Sequence, residues 1–227
     1  MAQPRDQFSV VGTALTWTTV EAGHGRETGT QPICFTPGTQ IATPAGARAV
    51  ETLRPGDAVI TRDNGIRRIC WKGTRGLTGV ELFAAPHLRP VLIRAGALGG
   101  GLPITDMRLS PGHRALVSND KTLHHFDERE VLVAARDLLG RPGVEIAPVP
   151  WTTYIHIMFE QHEIILSNGT WTESFEPGDE SLGGVGALQR CELEHLFPDL
   201  KTSRGRASYQ TARRALTRTE AELLLDP

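Results

Sequence analysis

The chain is short of cysteine, of net charge and of long apolar runs. Three cysteines, Cys34, Cys70 and Cys191, are odd in number and widely spaced. That argues against a disulfide framework and offers no paired ligands for zinc, so neither a metal nor a cofactor is expected. A reducing compartment is the default, and thiol chemistry stays open to each of them. The net charge is −2, without the basic footprint that nucleic-acid binding leaves. The longest apolar runs, such as residues 155–159, fall far below the ~20 residues of a membrane span, so no membrane association is expected. The opening MAQPRDQFSVVG has no basic n-region followed by an apolar stretch. No secretory signal peptide is read there, which leaves a cytoplasmic location or a signal-independent export route.

What is present is a β pattern. At 227 residues, 39% of them apolar and 22% charged, the chain can hold one all-β domain plus an appendage, or two small domains. Residues 1–31 read as a polar leader with one β-like patch at 14–20. From Cys34 onward, short apolar runs alternate with Gly, Pro and Asn turn signals, as an all-β fold requires. Strands are predicted at 40–43, 58–61, 68–71, 90–93, 107–110, 131–133, 153–159, 162–166 and 170–173. Asn64-Gly65 and Asn168-Gly169 are hairpin signals, since both residue types tolerate positive φ. After Pro177-Gly178 the period becomes helical, with Asp179 as cap and Leu182, Val185, Leu188 and Cys191 three apart. Thr217 and Glu220 have capping-box spacing ahead of a leucine run. The predicted organisation is a leader over 1–31, a β domain over 32–178 and a helical C-terminal appendage over 179–227.

Cys34 stands where the leader meets the β domain. A free thiol of pKa ~8.5 is only slightly ionised at neutral pH, so a nucleophilic role needs activation. From spacing alone, the plainer reading is a buried cysteine acting as a small apolar side chain.

The run Cys34-Phe35-Thr36-Pro37-Gly38-Thr39-Gln40-Ile41-Ala42-Thr43, followed by Gly46, Val50-Glu51-Thr52-Leu53 and Gly56-Asp57-Ala58-Val59, resembles the opening block of Hedgehog/intein (Hint) domains, particularly a bacterial branch. Ser110-Pro111-Gly112-His113 resembles that family's Thr-x-x-His block, with Ser110 in the threonine slot. His162, through Asn168-Gly169 to Glu173-Ser174, resembles the closing blocks. The resemblance implies an all-β Hint fold carrying a short C-terminal α-helical appendage. It also implies that Cys34 attacks the Ile33 carbonyl, turning the peptide bond into a thioester. His113 would protonate the departing nitrogen, and Ser110 or nearby backbone N–H groups would hold the oxyanion. His162 occupies the slot of an assisting histidine and also reads as a core residue. The substrate would be the chain's own N-terminal segment; oligomeric state is left open.

Glu173 and Ser174 stand where a splicing intein has His-Asn. Serine has no side-chain amide to cyclise, so the expectation is N-terminal cleavage without splicing. Sterol transfer finds no long apolar extension. The alternative is a Hint-fold binding or structural module that has lost the reaction. His124, His125 and His156 are expected to be structural or exposed, Cys70 core and Cys191 packing. Asp57 is expected to shape a turn, and Asp106 is left unplaced.

Overall fold

The computed structural model describes residues 32–225; the patch predicted at 14–20 lies outside the described residues. Thirteen strands follow in order: β1 (Gln40–Thr43), β2 (Gly46–Ala49), β3 (Ala58–Thr61), β4 (Gly65–Arg68), β5 (Trp71–Leu77), β6 (Val91–Ile93) and β7 (Met107–Leu109) come first. Then come β8 (Arg114–Val117), β9 (Val131–Ala134), β10 (Val144–Ile146), β11 (Thr152–Met158), β12 (Ile164–Ser167) and β13 (Thr170–Glu173). Helices α1 (Gly79–Ala84) and α2 (Asp120–Phe126) interrupt them. The tail adds α3 (Asp179–Gly183), α4 (Ala187–Leu196), α5 (Ser203–Ser208) and α6 (Arg218–Leu225).

Eight strands form one sheet along the path β2-β1-β12-β13-β8-β9, with β3 on β12 and β4 on β3; β10-β6-β7 and β11-β5 form smaller units. Both predicted Asn-Gly turns close hairpins. Ser167 pairs with Thr170, leaving Asn168 (φ 45°) and Gly169 (φ 80°) as a two-residue turn, the left-handed pair that strand twist favours. Asn168 also ties strands together, because its Oδ1 accepts from Gln40 N–H at 2.7 Å and its Nδ2 donates to the Asp106 carbonyl.

The expected strand at 68–71 is not continuous. The chain changes partners there: Ile69 N–H bonds the Asp57 carbonyl, while Cys70 N–H bonds the Met158 carbonyl. Cys70 is consequently half-buried, not a core residue. The two internal helices were not predicted, although Thr78 and Glu81 form a capping box on α1 and Asn119 and Thr122 one on α2.

The tail departs from its predicted single stripe. Gly183, Gly184 and Gly186 break the period between α3 and α4, since glycine disfavours helix interiors. Leu182 and Val185 are buried, yet Leu188 is 88% exposed and Cys191 is exposed, so Cys191 does no packing. Asp179 is the first helical residue and pairs with Arg206; Gly178 is the cap. The Thr217–Glu220 capping box does form, with Thr217 N–H on Glu220 Oε2 at 2.8 Å.

The main apolar cluster draws side chains from all three sheets and includes Phe35, Ile155 and Ile157. A second cluster joins Ile33, Trp71, Met158 and Phe175 to Leu182, Val185 and Leu193 of the tail. The tail therefore docks on the residue that precedes Cys34.

Candidate active site

Phe35 bridges the two smaller units, pairing with Leu109 at the end of β7 and with Ile155 in β11. Its N–H and carbonyl both bond Ile155 at 2.9 Å. One residue earlier, Cys34 is held on both sides of its peptide: Ser110 N–H donates to the Cys34 carbonyl at 3.1 Å, and Cys34 N–H donates to Ser110 Oγ at 2.8 Å. The Ser110 hydroxyl in turn donates to the Pro32 carbonyl at 2.6 Å. The hydroxyl is thus on the nitrogen side of the Ile33–Cys34 bond, not on the Ile33 oxygen.

That oxygen has another partner. Strand alternation sends Ile155 and Ile157 into the main cluster and turns His156 the other way, toward Cys34. His156 Nδ1 lies 2.9 Å from the Ile33 carbonyl oxygen. A carbonyl only accepts, so Nδ1 carries the hydrogen and Nε2 keeps its lone pair. The Cys34 sulfur sits 3.4 Å from Nε2 and 3.5 Å from Nδ1, near-equal distances that place it over the ring. Trp71 stacks on the imidazole and Phe175 meets it edge-on, fixing its orientation. His156, expected to be structural or exposed, is buried at the centre of the cluster. No motif marked it, and only its position inside an apolar strand was visible.

The Ser110–His113 spacing is that of a β-turn, closed by His113 N–H on the Ser110 carbonyl at 3.0 Å. The turn delivers both side chains to one junction. The His113 ring packs edge-on against Phe35, with centroids 4.3 Å apart, and neither ring nitrogen has a hydrogen-bond partner.

Burial governs the charge states. It pushes the Cys34 thiol well above its ordinary pKa, against the pull of the Ser110 hydroxyl and the Arg75 charge. Burial lowers His156 to about 4, although the Ile33 carbonyl pulls it up. Burial also brings His113 to about 4, opposed by the Glu173 carboxylate and the Cys34 backbone. The resting site therefore contains a neutral thiol and two neutral imidazoles.

His162 lies a step behind. Its Nδ1 accepts the Ala212 N–H at 2.8 Å, so Nε2 carries the hydrogen and stands 3.3 Å from Glu173 Oε2, off the hydrogen-bond direction. Glu173 also takes Arg114 N–H at 2.8 Å and Arg114 Nη1 at 3.0 Å. His162, Glu173 and Glu176 could converge on a cation, but Arg114 Nη1 already bridges the two carboxylates, and a metal ion would have to displace it. Ser174 Oγ accepts the Glu163 N–H. Asp106 is half exposed, accepts from Ala95 N–H and pairs with Arg94, away from this cluster. Asp57 accepts from Arg54 N–H and shapes its turn. His124 and His125 are exposed on α2.

The structure thus brings Cys34, Ser110 and His113 together, adds His156, and leaves His162 behind Glu173. Among the described residues, no helix is long and apolar enough to cross a membrane.

Residues 33–179 match a family described as "Hint domain". No curated protein matches the sequence. Among solved structures, the chain is similar to the bacterial intein-like domain from Clostridium thermocellum at 14% identity, covering 63% of this chain and 99% of that one, with a TM-score of 0.43. It is also similar to a DnaB intein from Synechocystis sp. PCC 6803 at 8% identity, covering 63% and 98%, with a TM-score of 0.38.

Proposed function

The chain belongs to the Hint domain family, with a mostly β, intein-like fold and added helices, and we propose that it cleaves itself at Ile33–Cys34 without splicing. One observation carries this reading. The two ends of that peptide unit are held by different side chains, with His156 Nδ1 on the Ile33 oxygen and Ser110 Oγ on the Cys34 N–H, while the Cys34 sulfur lies beside them.

The sulfur attacks the Ile33 carbonyl carbon. A C–S bond forms, the C–N bond breaks, and one proton passes from sulfur to the Cys34 nitrogen. His156 Nδ1–H faces the oxygen that becomes anionic, in a site where burial strengthens such a donor. His113, beside the Cys34 backbone and neutral at rest, takes the thiol proton and passes it to the departing nitrogen. Water or an added nucleophile then releases the acyl segment ending at Ile33. Ser174, in place of a cyclising asparagine, supports cleavage without ligation.

The full chain incubated with hydroxylamine or dithiothreitol should yield a fragment ending at Ile33, and Cys34→Ala should yield none. An intact mass after prolonged incubation would overturn the proposal and leave a Hint fold that serves as a binding or structural module.

A further inference from the structure

A cavity of about 280 Å³ opens against Ile33, the residue on the acyl side of the scissile bond, and is bounded by Arg114, Arg136, Glu176, Ala215 and Leu216. One wall belongs to the core domain and the other to the tail beyond the family match. The tail segment is firmly seated: Leu132 pairs with Ala215, and Leu216 N–H bonds the Leu132 carbonyl at 2.9 Å. From the other side, Gly184 approaches Pro32 so closely that a Cβ there would lie 3.1 Å from the proline Cβ, and Arg75 bonds the Gly184 carbonyl at 2.9 Å. The tail thus covers the junction and leaves this opening at Ile33.

We propose that the cavity is the acceptor subsite for the second step, and that it admits small hydrophilic nucleophiles, water above all, while rejecting lipid alcohols. The inference rests on the thioester reading above. Size and lining both point this way. The volume holds several waters at ~30 Å³ each, and it sits at the bottom edge of the usual range for drug-sized ligands, ~300–1,000 Å³. Two guanidinium and two carboxylate groups, with Asp179 as the fourth, line it, and an apolar acceptor would strip water from them without replacing it. In the step itself the acceptor X–H adds to the Ile33 carbonyl, the C–S bond breaks and the proton returns to the Cys34 sulfur. The products are an Ile33-terminated acyl–X and a chain that begins at Cys34.

The test compares acceptors on the full chain and on its Ala215→Trp variant, which narrows the tail wall. Hydroxylamine should release the Ile33 fragment from both at rates within about threefold. Dithiothreitol should act on the variant about tenfold or more slowly, as expected when a reacting group is misplaced by a small distance. On the unaltered chain, a long-chain alkyl thiol should be slower than dithiothreitol at equal thiolate concentration, a readout that does not depend on the variant folding. Equal sensitivity of both chains to both reagents, or a faster reaction with the alkyl thiol, overturns the subsite. Absence of any hydroxylamine product from the unaltered chain overturns the thioester reading instead, and the subsite with it.

Discussion

His156 Nδ1 is 2.9 Å from the carbonyl oxygen of Ile33, a donor already aimed at the atom that would become an oxyanion. Loss of one such donor costs roughly 10²–10³ in rate in other acyl-transfer sites. His156→Ala should therefore slow release of the Ile33 fragment by about a hundredfold, followed by mass over time. His156→Gln offers an amide N–H and should recover part of the loss. An alanine variant as fast as the parent would remove His156 from the reaction.

Ser110 satisfies a buried amide. In Ser110→Ala the Cys34 N–H loses its partner, and an orphaned buried donor costs about 1–3 kcal/mol, measurable by urea unfolding. Ser110→Thr keeps the hydroxyl and should retain both stability and cleavage. A serine-to-alanine change with no effect on the midpoint would mean that the amide finds another acceptor.

Acid should weaken the fold. Burial holds His113 and His156 at about 4, against ~6.5 in an unfolded chain. Between those values the unfolded chain binds more protons, so stability is full above ~6.5 and is lost as pH falls toward 4. Each ring accounts for about 2 kcal/mol by pH 5 on this reckoning, at 1.36 kcal/mol per unit. Unfolding midpoints at pH 7 and pH 5 check this, and equal midpoints would contradict it.

Glu173 is fully buried between Arg114 and His162. Burial raises its pKa, but those partners hold it below the usual carboxylate range. Glu173→Gln breaks the pair and should destabilise the fold by roughly 3 kcal/mol. It also removes the negative charge that pulls His113 upward, so His113 should titrate at still lower pH. An unmoved His113 titration by NMR would show that the two groups are uncoupled.

The turn chemistry was readable residue by residue. Asn168-Gly169 adopts its left-handed pair because those two side chains permit it, and the Ser110–His113 spacing reports a single β-turn. The tail was less readable, because the three-residue apolar recurrence runs through glycines that end one helix and restart another. Leu188 and Cys191 keep the period but face solvent. His156 was unreadable for a different reason: a histidine in an apolar strand carries no local sign of what it faces.

By itself, then, the sequence determined the β-rich pattern, the main turns and the block that begins at Cys34, since these depend on neighbours a few residues apart. The tertiary structure decided that His156, 123 positions from Ile33, holds its carbonyl, and that Ser110 takes the Cys34 amide. It also decided the charge states, because desolvation comes from everything packed around a group and not from its place in the chain.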